Sequence, residues 1–131
     1  MSAMLDHTIV PVKDQDESVE FYTRVSGFQY DGKAGMDDRF AVICLNDSFT
    51  LDLQRFDEIP NPGIHYAFAM DRAHFDRSFQ AIKDAGIPFG DGPRDKTNMR
   101  GPSISSGAKA ETLSVYFGDL NGHRLEIITY P

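Results

Sequence analysis

Two histidines and two carboxylates stand out by where they sit. His7 and His65 each open an apolar, alternating run, HTIVPV and HYAFA, while Asp52 and Glu126 each interrupt another, FTLDLQ and HRLEII. Acidic residues are depleted in strands and are almost never fully buried without a partner. A pair of imidazoles with one or two carboxylates is a donor set suited to a divalent first-row metal. Coordination is also one of the few ways to offset the cost of enclosing a strand carboxylate. Taken singly, each residue has a plainer explanation. A strand histidine is more often a satisfied side chain than a ligand, Asp52 can face water, and Glu126 can pair with Arg39 or Arg124.

The four residues become a candidate set because the chain repeats itself. The first half runs through DHTIVPVKD, an amphipathic DESVEFYTRVSG and LNDSFTLDL. The second runs through IHYAFAMD, AHFDRSFQAIKDAG and LNGHRLEI. Val19, Tyr22 and Val25 in one half, and Phe75, Phe79 and Ile82 in the other, have helical spacing. Each helix meets a glycine, Gly27 or Gly86, suited to a left-handed cap. Short β-like runs follow: FQYDGK, RFAVICL and SFTLDLQ, then IPFG, TLSVYF and HRLEIITY. The predicted architecture is α+β, two βαβββ modules forming a cupped mixed sheet around a central cavity. Residues 1–131 make a single domain, with module one over about 4–56, a Pro- and Gly-rich linker over 57–63, and module two over about 64–131.

With a one-residue gap, LNDSFTLDL lies on LNGHRLEI and Asp52 falls on Glu126. The histidines are 58 residues apart and the acids 74. The difference of 16 is the length of the segment from Arg94 to Lys109, which reads as an insertion in the second copy. That segment carries Arg94, Lys96, Arg100 and Lys109 against Asp95 alone. It is expected to be a solvated loop or, more sharply, a mobile lid that holds an anionic ligand. Period-two alternation puts His7 with Ile9, Asp52 with Thr50, and Glu126 with Arg124 on shared faces. If the two copies pair by an approximate two-fold, these faces bring the four residues together. His74 falls within a helix pattern and is expected to be exposed. His123 follows the Asn121-Gly122 turn and is expected at the surface or behind a ligand.

Bulk properties narrow the function classes. A net charge of −7 argues against general nucleic-acid binding, which needs a basic face. No apolar run is long enough to span a membrane and no secretory leader is evident, so a cytoplasmic protein is expected. Cys44, the only cysteine, excludes an intrachain disulfide and reads as packing within FAVICL rather than as a nucleophile.

These features resemble the vicinal oxygen chelate superfamily, the glyoxalase, bleomycin-resistance and dioxygenase group. The resemblance covers essentially the whole chain and is carried by DHTIVPVKDQDESVEFYTRVSGF, HYAFAM and VYFGDLNGHRLEII. The last is close to the family's phenylalanine–aspartate–proline–aspartate–glycine–histidine turn, with Leu120 where the proline usually stands. The resemblance implies that His7, His65 and Glu126 match metal-ligand positions and that Asp52 matches the fourth position of glyoxalase-like members. It also implies a divalent metal (Mn, Fe, Ni, Zn or Co), a small-molecule substrate and a homodimer. Local similarity to fosfomycin-resistance thiol transferases places Tyr116 at a substrate-contacting position. Those enzymes have a threonine where this chain has Ile9, and their phosphonate-holding lysine has no clear match. The expected function is a metal-dependent enzyme, a lyase, dioxygenase or thiol transferase, in which the metal chelates vicinal oxygens of the substrate. Glu126, Asp52 and Tyr116 are the catalytic candidates, and Arg39, Lys96 and Arg100 the substrate-binding ones. The alternative is a metal-free, bleomycin-resistance-type binding protein.

Overall fold

The computed structural model describes residues 2–131, which form two compact units, one ending at Asn61 and the other beginning at Pro62. The first unit contains β1 (His7–Val12), α1 (Gln15–Arg24), β2 (Gln29–Ala34), a short 3-10 turn (Met36–Asp38), β3 (Phe40–Cys44) and β4 (Thr50–Arg55). The second contains β5 (His65–Ala69), α2 (Arg72–Asp84), β6 (Phe89–Gly90), β7 (Ser103–Ser106), β8 (Glu111–Gly118) and β9 (Arg124–Thr129). The class is α+β, as expected. No helix among the described residues is long and apolar enough to cross a membrane.

The two sheets share one order. The first runs β1-β4-β3-β2 and the second β5-β9-β8-β6, with β7 paired to β8 off that path. In each, the opening strand lies parallel to the closing one while the remaining pairs are antiparallel. A parallel pair needs a crossover, and the helix supplies it.

Local sequence explains both helices. Asp14 accepts the Glu17 N–H at 3.0 Å, and Asp71 accepts the His74 N–H at 2.8 Å, so each helix begins on a carboxylate cap. Each ends before a glycine with left-handed φ, 72° at Gly27 and 69° at Gly86. The buried residues of α1 are Ser18, Phe21 and Tyr22, followed by Val25, which shifts the inward face by one residue from the Val19 of the sequence pattern. In α2 Phe75, Ser78 and Ile82 are buried, and Phe79 is half-buried with its ring edge-on to Phe89 at 5.1 Å.

The helix-side face of each sheet forms that unit's core. Val10, Val12, Ala41, Ile43, Leu51 and Leu53 are fully buried in the first. Val115, Phe117, Leu125 and Ile127 are fully buried in the second. Burying one such side chain contributes roughly 1.5–3 kcal/mol. Since alternate residues face the other way, this burial forces the histidines and carboxylates onto the opposite face.

Residues 94–109 differ from the lid expectation. Asn98 donates to Asp91 Oδ1 at 2.6 Å, Ser103 Oγ donates to the Asp91 carbonyl at 2.8 Å, and the Met99 N–H reaches the Phe89 carbonyl at 2.7 Å. Residues 103–106 then form β7, an additional strand with no counterpart in the first unit. The segment is tied into the sheet because its backbone groups find ladder partners on β8. Deleting Lys96 to Ser106 is therefore expected to destabilise the fold by on the order of 2 kcal/mol or more, at about 1 kcal/mol per lost hydrogen bond. A denaturant midpoint equal to that of the intact chain would contradict this.

Candidate functional site

In the first unit, β1 and β4 pair His7 with Thr50 and Ile9 with Asp52. In the second, β5 and β9 pair His65 with Arg124 and Ala67 with Glu126. Each carboxylate thus sits one same-face step along the closing strand from the partner of its unit's histidine. The sequence repeat is reproduced residue for residue at these positions.

The second unit joins its pair directly. His65 Nε2 lies 3.0 Å from Glu126 Oε1, with the carboxylate side chain only 14% exposed and the imidazole 37%. Glu126 is therefore answered by His65 rather than by Arg39 or Arg124. The Arg124 guanidinium instead donates to the Gly63 carbonyl at 3.1 Å. Tyr116 stands directly across the antiparallel ladder from Glu126, is buried, and shares a 2.8 Å hydrogen bond with the Ser105 hydroxyl on β7.

The first unit is looser. His7 is exposed, and its Nδ1 is 2.7 Å from Asp6 Oδ2. Asp52 Oδ1 accepts from the Thr50 hydroxyl at 2.8 Å. The hydrogen bond to Asp6, followed by the negative charge of Asp52, raises the His7 pKa above its ordinary 6.5. Cys44 pairs with Thr50 on the same face. Burial, then the charges of Asp31, Asp47 and Asp52, pushes its thiol pKa up. A raised thiol pKa suits a protonated bystander, not a nucleophile.

The remaining candidates are dispersed. Arg39 is exposed at the entry to β3, its Nε donating to the Met36 carbonyl at 3.3 Å and its guanidinium lying 5.9 Å from the Phe40 ring centre. Lys96 Nζ reaches the Pro93 carbonyl at 3.4 Å, and Arg100 is exposed with its backbone N–H on Asn98. A cavity of about 420 Å³ in the second unit, lined by residues including Arg72, Ile104, Leu113 and Pro131, includes none of the four repeat-related residues. Of the two placements expected for His123, the surface one does not hold. The residue is fully buried, because its Nδ1 accepts the Ile64 N–H at 3.0 Å and removes the need for water at that atom. Its place after an Asn-Gly turn disguised it as a surface residue.

Among the described residues, no three His, Cys, Asp or Glu side chains are gathered into a ready metal-binding group. The donor chemistry nevertheless fits a divalent ion. The 3.0 Å separation of His65 Nε2 and Glu126 Oε1 matches the roughly 3 to 3.5 Å between neighbouring ligands at bond lengths near 2.1 Å. His7 has its Nδ1 on a carboxylate, which leaves Nε2 free in the manner of metal-binding histidines.

Comparison with known proteins identifies the class. The family model of the Glyoxalase/Bleomycin resistance protein/Dioxygenase superfamily matches residues 4–127, and the chain belongs to that superfamily. Among particular relatives, it is 26% identical over 131 residues to the virulence protein STM3117 of Salmonella typhimurium, covering 96% of this chain and 83% of that one. Its fold is similar to oxidase ChaP-H2, at 29% identity and a TM-score of 0.82, covering 100% of this chain and 96% of the other. The fosfomycin resistance protein FosX of Listeria monocytogenes shares the fold at 19% identity and a TM-score of 0.70, over 100% and 94% of the two chains.

The His7 environment has a direct pH consequence. The Asp6 and Asp52 interactions stabilise the fold fully below the imidazole's unperturbed value, while both acids are ionised. That contribution disappears as pH rises past the raised folded value. An NMR titration of metal-free protein is expected to place the His7 midpoint above 6.5, and Asp6→Asn to move it down. A wild-type midpoint at or below 6.5 would contradict the assigned environment.

Proposed function

We propose that this protein is a metal-dependent enzyme of its superfamily, in which His7, Asp52, His65 and Glu126 are the ligands of a divalent ion. The observation that carries the reading is the His65–Glu126 pair at 3.0 Å, repeated by strand register at His7 and Asp52. Mn, Fe, Ni, Zn and Co all suit such a nitrogen and oxygen set. When bound, the ion would supply Lewis acidity toward two neighbouring oxygens of a small-molecule substrate.

The protein's own groups account for the rest of the chemistry. Glu126, hydrogen-bonded yet part-exposed, can take a proton from the substrate, and Asp52 is a second carboxylate for the same role. Tyr116, buried across the ladder from Glu126 with its hydroxyl held by Ser105, can donate a hydrogen bond to a developing oxyanion. Lys96, Arg100 and Arg39 would hold an anionic part of the substrate. The oxidase among the relatives favours an oxidase- or dioxygenase-type reaction over lyase or thiol-transfer chemistry. We further read the active form as a cytoplasmic homodimer.

Isothermal titration of chelator-stripped protein with Zn²⁺ or Mn²⁺, beside His65→Ala, Glu126→Gln and His7→Ala, tests the reading. Wild type is expected to bind near stoichiometrically and each variant at least ~10-fold more weakly. Sedimentation should give the mass of two chains. Wild type that binds no better than the three variants would leave the metal-free binding protein as the surviving reading.

A further inference from the structure

The two units differ in one respect that their shared register does not explain. His65 reaches its carboxylate directly, whereas His7 turns to Asp6. The strand pairings are equivalent, with His7 opposite Thr50 and His65 opposite Arg124. The backbone link before each histidine is also equivalent: the Thr50 N–H bonds the Asp6 carbonyl at 3.1 Å, and the Arg124 N–H bonds the Ile64 carbonyl at 2.8 Å. Two nearby residues differ: Asp6 precedes His7 where Ile64 precedes His65, and Phe49 stands just before the closing strand of the first unit where His123 stands just before that of the second.

His123 is wholly buried, and its Nδ1 accepts the N–H of Ile64, the residue immediately before His65. The acceptor role fixes the ring proton on Nε2. The turn below holds the imidazole in place. Asp119 Oδ1 accepts the N–H groups of both Asn121 and His123, at 2.8 and 2.9 Å, and the Asp119 N–H returns to the His123 carbonyl at 3.1 Å. Gly63 lies so close to this turn that an added Cβ would stand 2.5 Å from the Gly122 carbonyl oxygen. Residues 63 and 64 are thereby pinned through the His123 ring, the Arg124 N–H and the Arg124 guanidinium.

Register alone does not join the pair, because His7 holds the equivalent register in the first unit and still turns to Asp6. What the second unit adds is a side-chain hold on the backbone of the residue before its histidine. We propose that His123 is a positioning residue that fixes the backbone at Ile64 and so delivers the His65 imidazole to Glu126. Phe49, which has no acceptor, leaves β1 without this hold. The effect on metal affinity rests on the function proposed above, whereas the positioning itself does not.

The test uses metal-free, ¹⁵N-labelled full-length protein. In wild type, a scalar coupling across the hydrogen bond between the Ile64 amide and His123 Nδ1 is expected. The His65 Nε2 resonance is then compared in wild type, Glu126→Gln, His123→Leu and His123→Asn. His123→Leu is expected to move that resonance to the Glu126→Gln value. His123→Asn, whose Oδ1 can accept the same N–H, should hold it at the wild-type value. An unmoved His65 signal in folded His123→Leu overturns the inference, as does a missing coupling in wild type. If His123→Leu fails to fold, the coupling and the Asn variant decide. A displaced His65 signal in His123→Asn, with the Ile64 amide still bonded, also overturns it. Zn²⁺ titration of the same samples reads the consequence, with affinity expected to fall about 10- to 100-fold in His123→Leu and to recover in His123→Asn. A wild type that binds no Zn²⁺ counts against the metal function alone, because the resonances still decide the positioning.

Discussion

The parallel pairing of each unit's first strand with its last is the constraint on which the histidine–carboxylate arrangement depends. It joins residues distant in sequence, His7 to Thr50 and His65 to Arg124. Because strand side chains alternate, it also decides which residues share a face with them. The helix between first and second strands packs on one face, where Val10, Leu51, Leu125 and Ile127 are fully buried. The polar residues are consigned to the other. A carboxylate in a core strand is tolerable here because it stands on the face that the helix does not cover.

Much of this was legible in the sequence. Two helices, each ended at a glycine, could be read from apolar spacing and breakers. The offset that laid Asp52 on Glu126 is the offset that the ladders display. Period-two alternation is a strong signal when one face is buried, and both closing strands are buried on one face. The register match therefore follows from the same hydrophobic pattern that sets the core.

Other features were hidden for physical reasons. The strand Ser103–Ser106 has one apolar residue, Ile104, which is exposed, so no apolar alternation marks it. Its pairing with β8 is a tertiary event. His123 looked like a turn residue because Asn121 and Gly122 precede it, and its burial depends on an N–H donated from 59 residues away. The inward face of α1 includes Ser18, a small polar residue that a hydrophobic count passes over. In the first unit the aspartate that captures His7 directly precedes it, whereas Ile64, which has no acceptor side chain, precedes His65.

The superfamily assignment explains why such a plan exists but not which reaction it serves, since one fold hosts many chemistries. What this chain contributes is a repeated imidazole–carboxylate half, tightly set in the second unit and loosely in the first. His65 and Glu126 bond each other directly, whereas His7 and Asp52 each bond a near neighbour in sequence. X-ray absorption spectroscopy of the Zn²⁺-loaded protein is the direct test of His7 and His65 as ligands of one ion. A nearest shell of nitrogen and oxygen with the outer scattering of two imidazoles is expected, falling to one in His7→Ala. A shell with fewer than two imidazoles in wild type would contradict that assignment.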